Sequence, residues 1–508
     1  MKNRSTYWLA RFLFLRVLGL VYFVAFAGLA AQVLPLIGSE GLLPAESWLE
    51  WVDGRTGGGW ESMRRLPTIF HLAISDPLLQ GLALVGTVLS LLLLFGFANV
   101  PLLATLWALY FSFVSIGQRW FEFGWESQLL ETGLLAVFLV PLFDPRPLPR
   151  RSPPPRVIVW LGWWLLARIM LGSALIKLRG APCWTELSCL DYHFETQPVP
   201  GPLSRWFHEL PQAVLHFGVL VNHLVELVLP FGLLGPRRLR HVAALGMALF
   251  QIVLILSGNL AFLNWLTLLV CLLCFDDRLL AWLLPERIAR LARLRIKQAP
   301  ALVPVRRVVL AAYAALVLVL SVPVVTNLVS SDQAMNTSFQ VLRIVNTYGA
   351  FGSVGETRWE VVLEGTRDEL AGAEAEWREY EFKCKPGSLD RRPCLITPYH
   401  DRLDWLAWFA GIEAGRGEGV RREPWLLHLI WKLLHQDAGS LSLLAGNPFP
   451  EGPPKHIRVR RYRYSFADSA GGNGLWWERE DAGLHLPPLS VEHPGFRDVL
   501  VTEGWLEE

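Results

Sequence analysis

At 508 residues, 52% of them hydrophobic and with a formal net charge of +2, the chain is too apolar to be an ordinary soluble protein. The charge total decides nothing by itself, because what matters is where the arginines lie. Six cysteines are too few for a disulfide scaffold but enough for two bridges.

Long apolar runs fill residues 11–329, and charged and turn-forming residues return to globular density after them. The pattern predicts a polytopic α-helical membrane domain over residues 1–329 and an extracytoplasmic, β-rich soluble domain over residues 330–508. The first twenty residues combine a basic start with a long apolar run. No small-residue cleavage site follows promptly, so the stretch reads as a retained first span. Nine candidate spans follow in order: 11–35, 77–97, 101–117, 127–143, 157–178, 213–234, 241–257, 260–275 and 308–329. Short cytoplasmic loops are enriched in Lys and Arg. With nine crossings four basic groups share one side: Lys2, Arg4 and Arg11; Arg146, Arg150, Arg151 and Arg156; Arg237, Arg238 and Arg240; and the stretch from Arg287 to Arg307. The N-terminus is then cytoplasmic and the C-terminal domain lies outside. Cys183, Cys189, Cys384 and Cys394 fall on that outer, oxidising side, and their proximity in sequence predicts Cys183–Cys189 and Cys384–Cys394 bridges. Cys271 and Cys274, inside the eighth span, read as helix packing.

Ionisable groups within spans cost free energy, so each is a functional hypothesis with a partner to be named. Glu126 and Glu131 begin the fourth span at the outer level, where Lys177 ends the fifth. Lys177 either snorkels to water or sits desolvated as a base in a polar pocket with those two carboxylates. Arg168 lies near the middle of the fifth span. His223 and Glu226 lie on one face of the sixth, and an Arg168–Glu226 ion pair would satisfy both charges. Between these spans Asp191, His193 and Glu195 alternate. In a strand they would point one way, as metal ligands do; in a loop they supply hydrogen bonds across the bundle, and no metal is expected. No hydrolase, ATPase or dinucleotide motif stands in its required context.

In the last third, 338–345, 359–364, 377–384 and 456–466 carry strand-like composition, and 402–410 and 424–434 read as helices. The expected fold is a β-sandwich-like domain with the two helices packed on it. The ladder Arg458, Arg460, Arg461 and Arg463 reads as a solvated strand face, with lipid head groups or an acidic partner second. Nucleic acid is not an expected partner.

Several stretches resemble the lipase maturation factor family: Phe123-Gly-Trp-Glu-Ser-Gln-Leu-Leu-Glu-Thr132, Leu190-Asp-Tyr-His-Phe-Glu-Thr-Gln-Pro198 and Asn346-Thr-Tyr-Gly-Ala-Phe-Gly352. So do Glu379–Gly387, Arg391–His400 with Arg402-Leu-Asp-Trp405, and Leu444–Pro450. The resemblance implies an endoplasmic reticulum membrane protein that helps secreted lipases fold; no cofactor is expected. Its soluble domain would face a lipase or other exported client, with membrane lipids as further partners. The chain ends Gly504-Trp-Leu-Glu-Glu508 without a lysine-rich or K-D-E-L-type address. Its Arg-, Leu- and Ala-rich composition also fits a prokaryote, in which case the membrane is the bacterial inner membrane and the outside is periplasm. The shorter stretch Ser173–Trp184 is similar to one in vitamin K-dependent γ-glutamyl carboxylases. That similarity implies an alternative, a membrane enzyme acting on a quinone-like or lipid substrate with Lys177 as base.

Overall fold

Helix Trp8–Ile37 is 30 residues long and mainly apolar, with Arg11, Arg16 and Gln32 as its polar interruptions, and at about 1.5 Å per residue it is roughly 45 Å long. Its neighbour Asp76–Phe95 lies close against it because glycines face the contact. A Cβ on Gly19 would stand 2.5 Å from the Leu94 backbone nitrogen, and one on Gly86 would stand 2.3 Å from the Phe26 ring. The computed structural model describes residues 5–298, 300–372, 374–417, 423–468 and 474–506. Lys2 and Arg4 of the first basic group lie outside them, as does the terminal Glu507-Glu508 pair.

Apolar helices stand at all nine predicted positions, and six of them are long and apolar enough to cross a membrane. Val100–Ile116, Gly124–Leu139 and Leu263–Cys274 are shorter. The sixth position is irregular: Gln212–His223 is α-helical, a π turn follows over Leu224–Val228, and a 3-10 stretch runs over Leu229–Leu234. Pro230 removes a backbone donor there, which loosens the ladder at the level of Glu226.

The arginine-bearing connections gather at the end where Trp8–Ile37 begins. The Asp277 carboxylate accepts from the Trp8 and Leu9 amides at 3.0 and 2.7 Å. Arg306 donates to the Ser152 hydroxyl and the Val140 carbonyl at 2.6 and 2.9 Å. Arg156 reaches the Ser5 carbonyl at 3.0 Å, and Arg237 pairs with Asp276. Arg11 is a buried member of this group, donating to the Ser152 carbonyl at 2.9 Å. The last third of the chain packs at the opposite end, where Gln32 of the first helix donates to the Tyr399 hydroxyl and the His400 carbonyl.

That last third is built on one four-stranded antiparallel sheet in the order β2-β1-β3-β4, with β1 Arg358–Thr366, β2 Arg378–Tyr380, β3 His456–Phe466 and β4 Trp477–Leu489. The β-sandwich expectation is therefore corrected: among the described residues there is a single small sheet, and helices do the covering that a second sheet would do. Helix Arg402–Gly415 lies on β1, and its approach is set by Gly411 and Gly415, where a Cβ would collide with Trp359 at 2.4 and 2.3 Å. The predicted strand over 338–345 is absent because the Ser338 hydroxyl turns back to the Gln340 carbonyl and Arg343 takes a left-handed conformation (φ 50°). The one over 377–384 shrinks to β2, since the Cys384 and Lys385 amides are drawn to the Asp404 carboxylate instead of a neighbouring strand. Helix Pro424–Leu434 is found at the predicted bounds.

His428 of that helix donates from Nδ1 to the Leu42 carbonyl at 2.8 Å and stacks on Trp505 at 4.6 Å. Burial, partly offset by that hydrogen bond, holds its imidazolium down to about pH 4. The unfolded chain takes up a proton near pH 6.5 that the native one refuses, so stability is complete above 6.5 and falls between 6.5 and about 4. His428→Gln is expected to remove on the order of 3 kcal/mol of acid sensitivity in that window, read as thermal midpoint against pH in detergent.

Candidate functional site

Three buried ion pairs organise the site: one ties the last third of the chain to the bundle, one inside the bundle receives residues 346–348, and one lines a cavity. The first centres on Glu126, in the opening turn of Gly124–Leu139 and without solvent exposure. Its carboxylate accepts from Tyr110, from the Trp125 indole at 3.1 Å and from Arg402 at 2.8 Å. Arg402 belongs to the Arg402-Leu-Asp-Trp405 motif, and each polar or aromatic member has a separate contact. Arg402 enters the bundle over the Phe121 ring at 3.6 Å. Asp404 turns the other way and receives the Cys384 and Lys385 amides at 2.6 and 2.9 Å, tying down the disulfide-bearing turn. Trp405 meets Trp125 edge-on at 4.7 Å.

The second pair is one helical turn deeper. Glu131 holds the Arg168 guanidinium and also accepts from the Asn346 amide at 3.0 Å, the Asn346 side chain at 3.2 Å and the Tyr348 hydroxyl at 2.7 Å. Arg168 in turn donates to the Asn346 carbonyl at 2.9 Å. Residues 346–348 thus plug into the bundle as a hydrogen-bonded wedge. The expected Arg168–Glu226 pair does not form, because Glu131 faces Arg168 from the adjoining helix and Glu226 is taken by another cation.

That cation is Lys177. Its ammonium lies 2.7 Å from the Glu226 carboxylate and 3.0 Å from the Asn222 side-chain oxygen, with the Trp184 ring 4.9 Å away. It is 4% exposed, so the expectation of a snorkelling lysine is corrected: Glu226, brought round by the π turn, gives it a counter-charge without water. Glu126 and Glu131 do not share its pocket. The pocket is a cavity of about 530 Å³, lined by Lys177, Glu226, Gln128 and His193 among mainly apolar side chains. His223 points away from Glu226 and bonds the Trp184 carbonyl at 3.0 Å.

Asp191, His193 and Glu195 lie in a short helix, Leu190–Thr196, so the strand reading and its one-sided array are corrected: helical spacing fans them apart. Asp191 faces His216 at 3.5 Å, His193 lines the cavity, and Glu195 accepts the Phe466 amide at 2.7 Å. Burial, and then the Lys177 ammonium, push the His193 imidazolium down to about 4, so it is neutral at pH 7. Among the described residues no cluster of three His, Cys, Asp or Glu could hold a metal ion. Arg358 of β1 donates to the Glu195 and Pro198 carbonyls at 2.8 and 3.0 Å, while Asn259 of the bundle reaches the Cys394 carbonyl at 2.9 Å. Cys183–Cys189 and Cys384–Cys394 are bonded, with Cα atoms 4.7 and 5.7 Å apart, and Cys271 and Cys274 are buried thiols.

Sequence reasoning passed over Arg402, Asn346, Tyr348 and Gln128 as site residues. A signal was present: all four lie inside the family-like stretches Phe123–Thr132, Asn346–Gly352 and Arg402–Trp405.

Long apolar helices joined to a small sheet-based carboxy-terminal part define an integral membrane protein with a soluble C-terminal domain. Family models agree: that of the lipase maturation factor transmembrane domain matches residues 9–282, and that of the lipase maturation factor C-terminal domain matches residues 344–487. Lipase maturation factor 1 of Bos taurus is 48% identical, with 96% of this chain and 90% of the bovine protein covered. Its Homo sapiens counterpart is 46% identical over 99% and 91%. Lipase maturation factor 2 of Rattus norvegicus is 29% identical over 97% and 84%. No solved structure matches the chain. The chain belongs to the lipase maturation factor family.

Proposed function

We propose that the protein is a membrane-anchored maturation factor that assists secreted lipases, with residues 330–508 as the part that meets the client. The observation that carries this reading is identity of 46–48% to lipase maturation factor 1 over 96–99% of the chain. Residues 330–508 and both disulfides face the oxidising side, and the basic connections face the cytosol. The membrane is then that of the endoplasmic reticulum, or the inner membrane with a periplasmic domain in a prokaryote. The gathering of arginine-bearing connections at one end of the bundle, away from both disulfides, supports that orientation.

The test is rescue of a co-expressed lipase in cells that lack their own maturation factor. Full-length protein is expected to raise secreted lipase activity at least tenfold over the empty vector. Photo-crosslinking residues at the exposed positions Leu370 and Leu484 are expected to capture the lipase chain. Rescue without capture at any exposed position of residues 330–508 would move the client site elsewhere, and no rescue would overturn the function.

A further inference from the structure

The cavity beside Lys177 is built for a ligand in two respects that the ion pairs leave unused. The first is hydrogen-bonding capacity. The Gln128 side chain has no exposure and donates its Nε2 to the Thr267 hydroxyl at 3.1 Å. That hydroxyl already donates to the Leu263 carbonyl at 3.1 Å, so the amide orientation is fixed and Gln128 Oε1 is left as an acceptor without a partner among the described residues. His193 Nδ1, on a side chain 6% exposed, is likewise without a partner among them. Buried polar atoms of this kind are costly unless something bonds them, and both residues line the same cavity.

The second respect is the mouth. Val214 and Leu224 on one helix and Leu249 and Val253 on the next line the cavity and are each about half exposed. Exposed apolar side chains on spanning helices face hydrocarbon, so the mouth opens sideways into the bilayer between Gln212–Leu234 and Arg237–Ser257. Gln128 stands near the start of its helix and Lys177 in the last turn of its own, which puts the polar wall at the end where the soluble domain sits.

We infer that this cavity binds one single-chain lipid with an uncharged polyol head, a monoacylglycerol-type amphiphile, chain toward the bilayer and hydroxyls toward Gln128 and His193. Size sets one limit: about 530 Å³ is the room of a single drug-sized ligand, a polyol head with the upper part of one acyl chain, whose end runs out through the mouth. Charge sets the next. Lys177 and Glu226 neutralise one another and His193 is neutral, so nothing in the wall is left to hold a carboxylate or phosphate head. Donor count sets the last, because Gln128 Oε1 needs a hydroxyl or amine hydrogen, which a carbonyl-only head such as a quinone lacks. The assignment is independent of which client the soluble domain meets.

The experiment uses the full chain in phosphatidylcholine nanodiscs with a diazirine-bearing monoacylglycerol as the probe. Expected are saturable labelling confined to peptides from residues 212–234 and 237–257, competition by unlabelled monoolein and little competition by palmitate. Ser173→Phe, which fills the cavity, and Gln128→Leu, which removes the acceptor, are each expected to lower labelling at least tenfold. Labelling spread over all lipid-facing helices without saturation would overturn the site. So would undiminished labelling in a folded Ser173→Phe variant, and equal competition by palmitate would overturn the uncharged head. Should a variant not fold, the mapping and competition on the unmodified chain decide alone.

Discussion

Arg402→Ala is expected to lower the stability of the full chain by about 3–5 kcal/mol, because it leaves Glu126 charged and fully buried with no cation to face it. Tyr110 and Trp125 still donate to that carboxylate, but neutral donors do not replace a guanidinium. Unfolding in detergent, followed together with protease cleavage of residues 330–508, should show the soluble domain released well before the bundle melts. The coupled variant Arg402→Ala with Glu126→Gln should recover most of the loss, since an amide carries no charge to strand. A single variant within 1 kcal/mol of the parent protein would refute the pairing.

Glu131→Ala should cost as much or more. It removes the counter-charge of Arg168 and, in the same step, the acceptor used by the Asn346 amide and the Tyr348 hydroxyl. About 3–5 kcal/mol is expected from the stranded guanidinium, with further loss from the unbonded wedge. Hydrogen exchange at residues 346–348 reports the wedge directly. Protection there should collapse in Glu131→Ala and survive in His428→Gln, which lies in a different contact. Unchanged protection in Glu131→Ala would show that 346–348 is held by something else.

Helix positions in the bundle were legible because apolar run length is a strong, local signal; even the short helices stand where hydropathy put them. The two disulfides were legible from sidedness and short separation. Partner choice was not. Depth along a span suggested Arg168 with Glu226, whereas rotation about the helix axis, which sequence spacing leaves open between helices, sends Arg168 to Glu131 and Lys177 to Glu226. The sandwich expectation failed for a related reason. Ser338–Val345 has strand-like composition, yet the Asn346 that follows is pulled into the bundle, and the approach to it is spent on turns. Family-like motifs such as Arg402-Leu-Asp-Trp405 marked the right residues without saying what they hold.

Because Arg402, the 346–348 wedge and the Asn259 contacts to Cys394, Ile396 and Thr397 all seat in the bundle, the carboxy-terminal sheet is a fixture and not an arm on a string. Its standoff from the bilayer and its tilt are set by the helices beneath. Whatever docks on it meets a platform of constant height and bearing, and lengthening the connector after Val329 would add slack without adding reach.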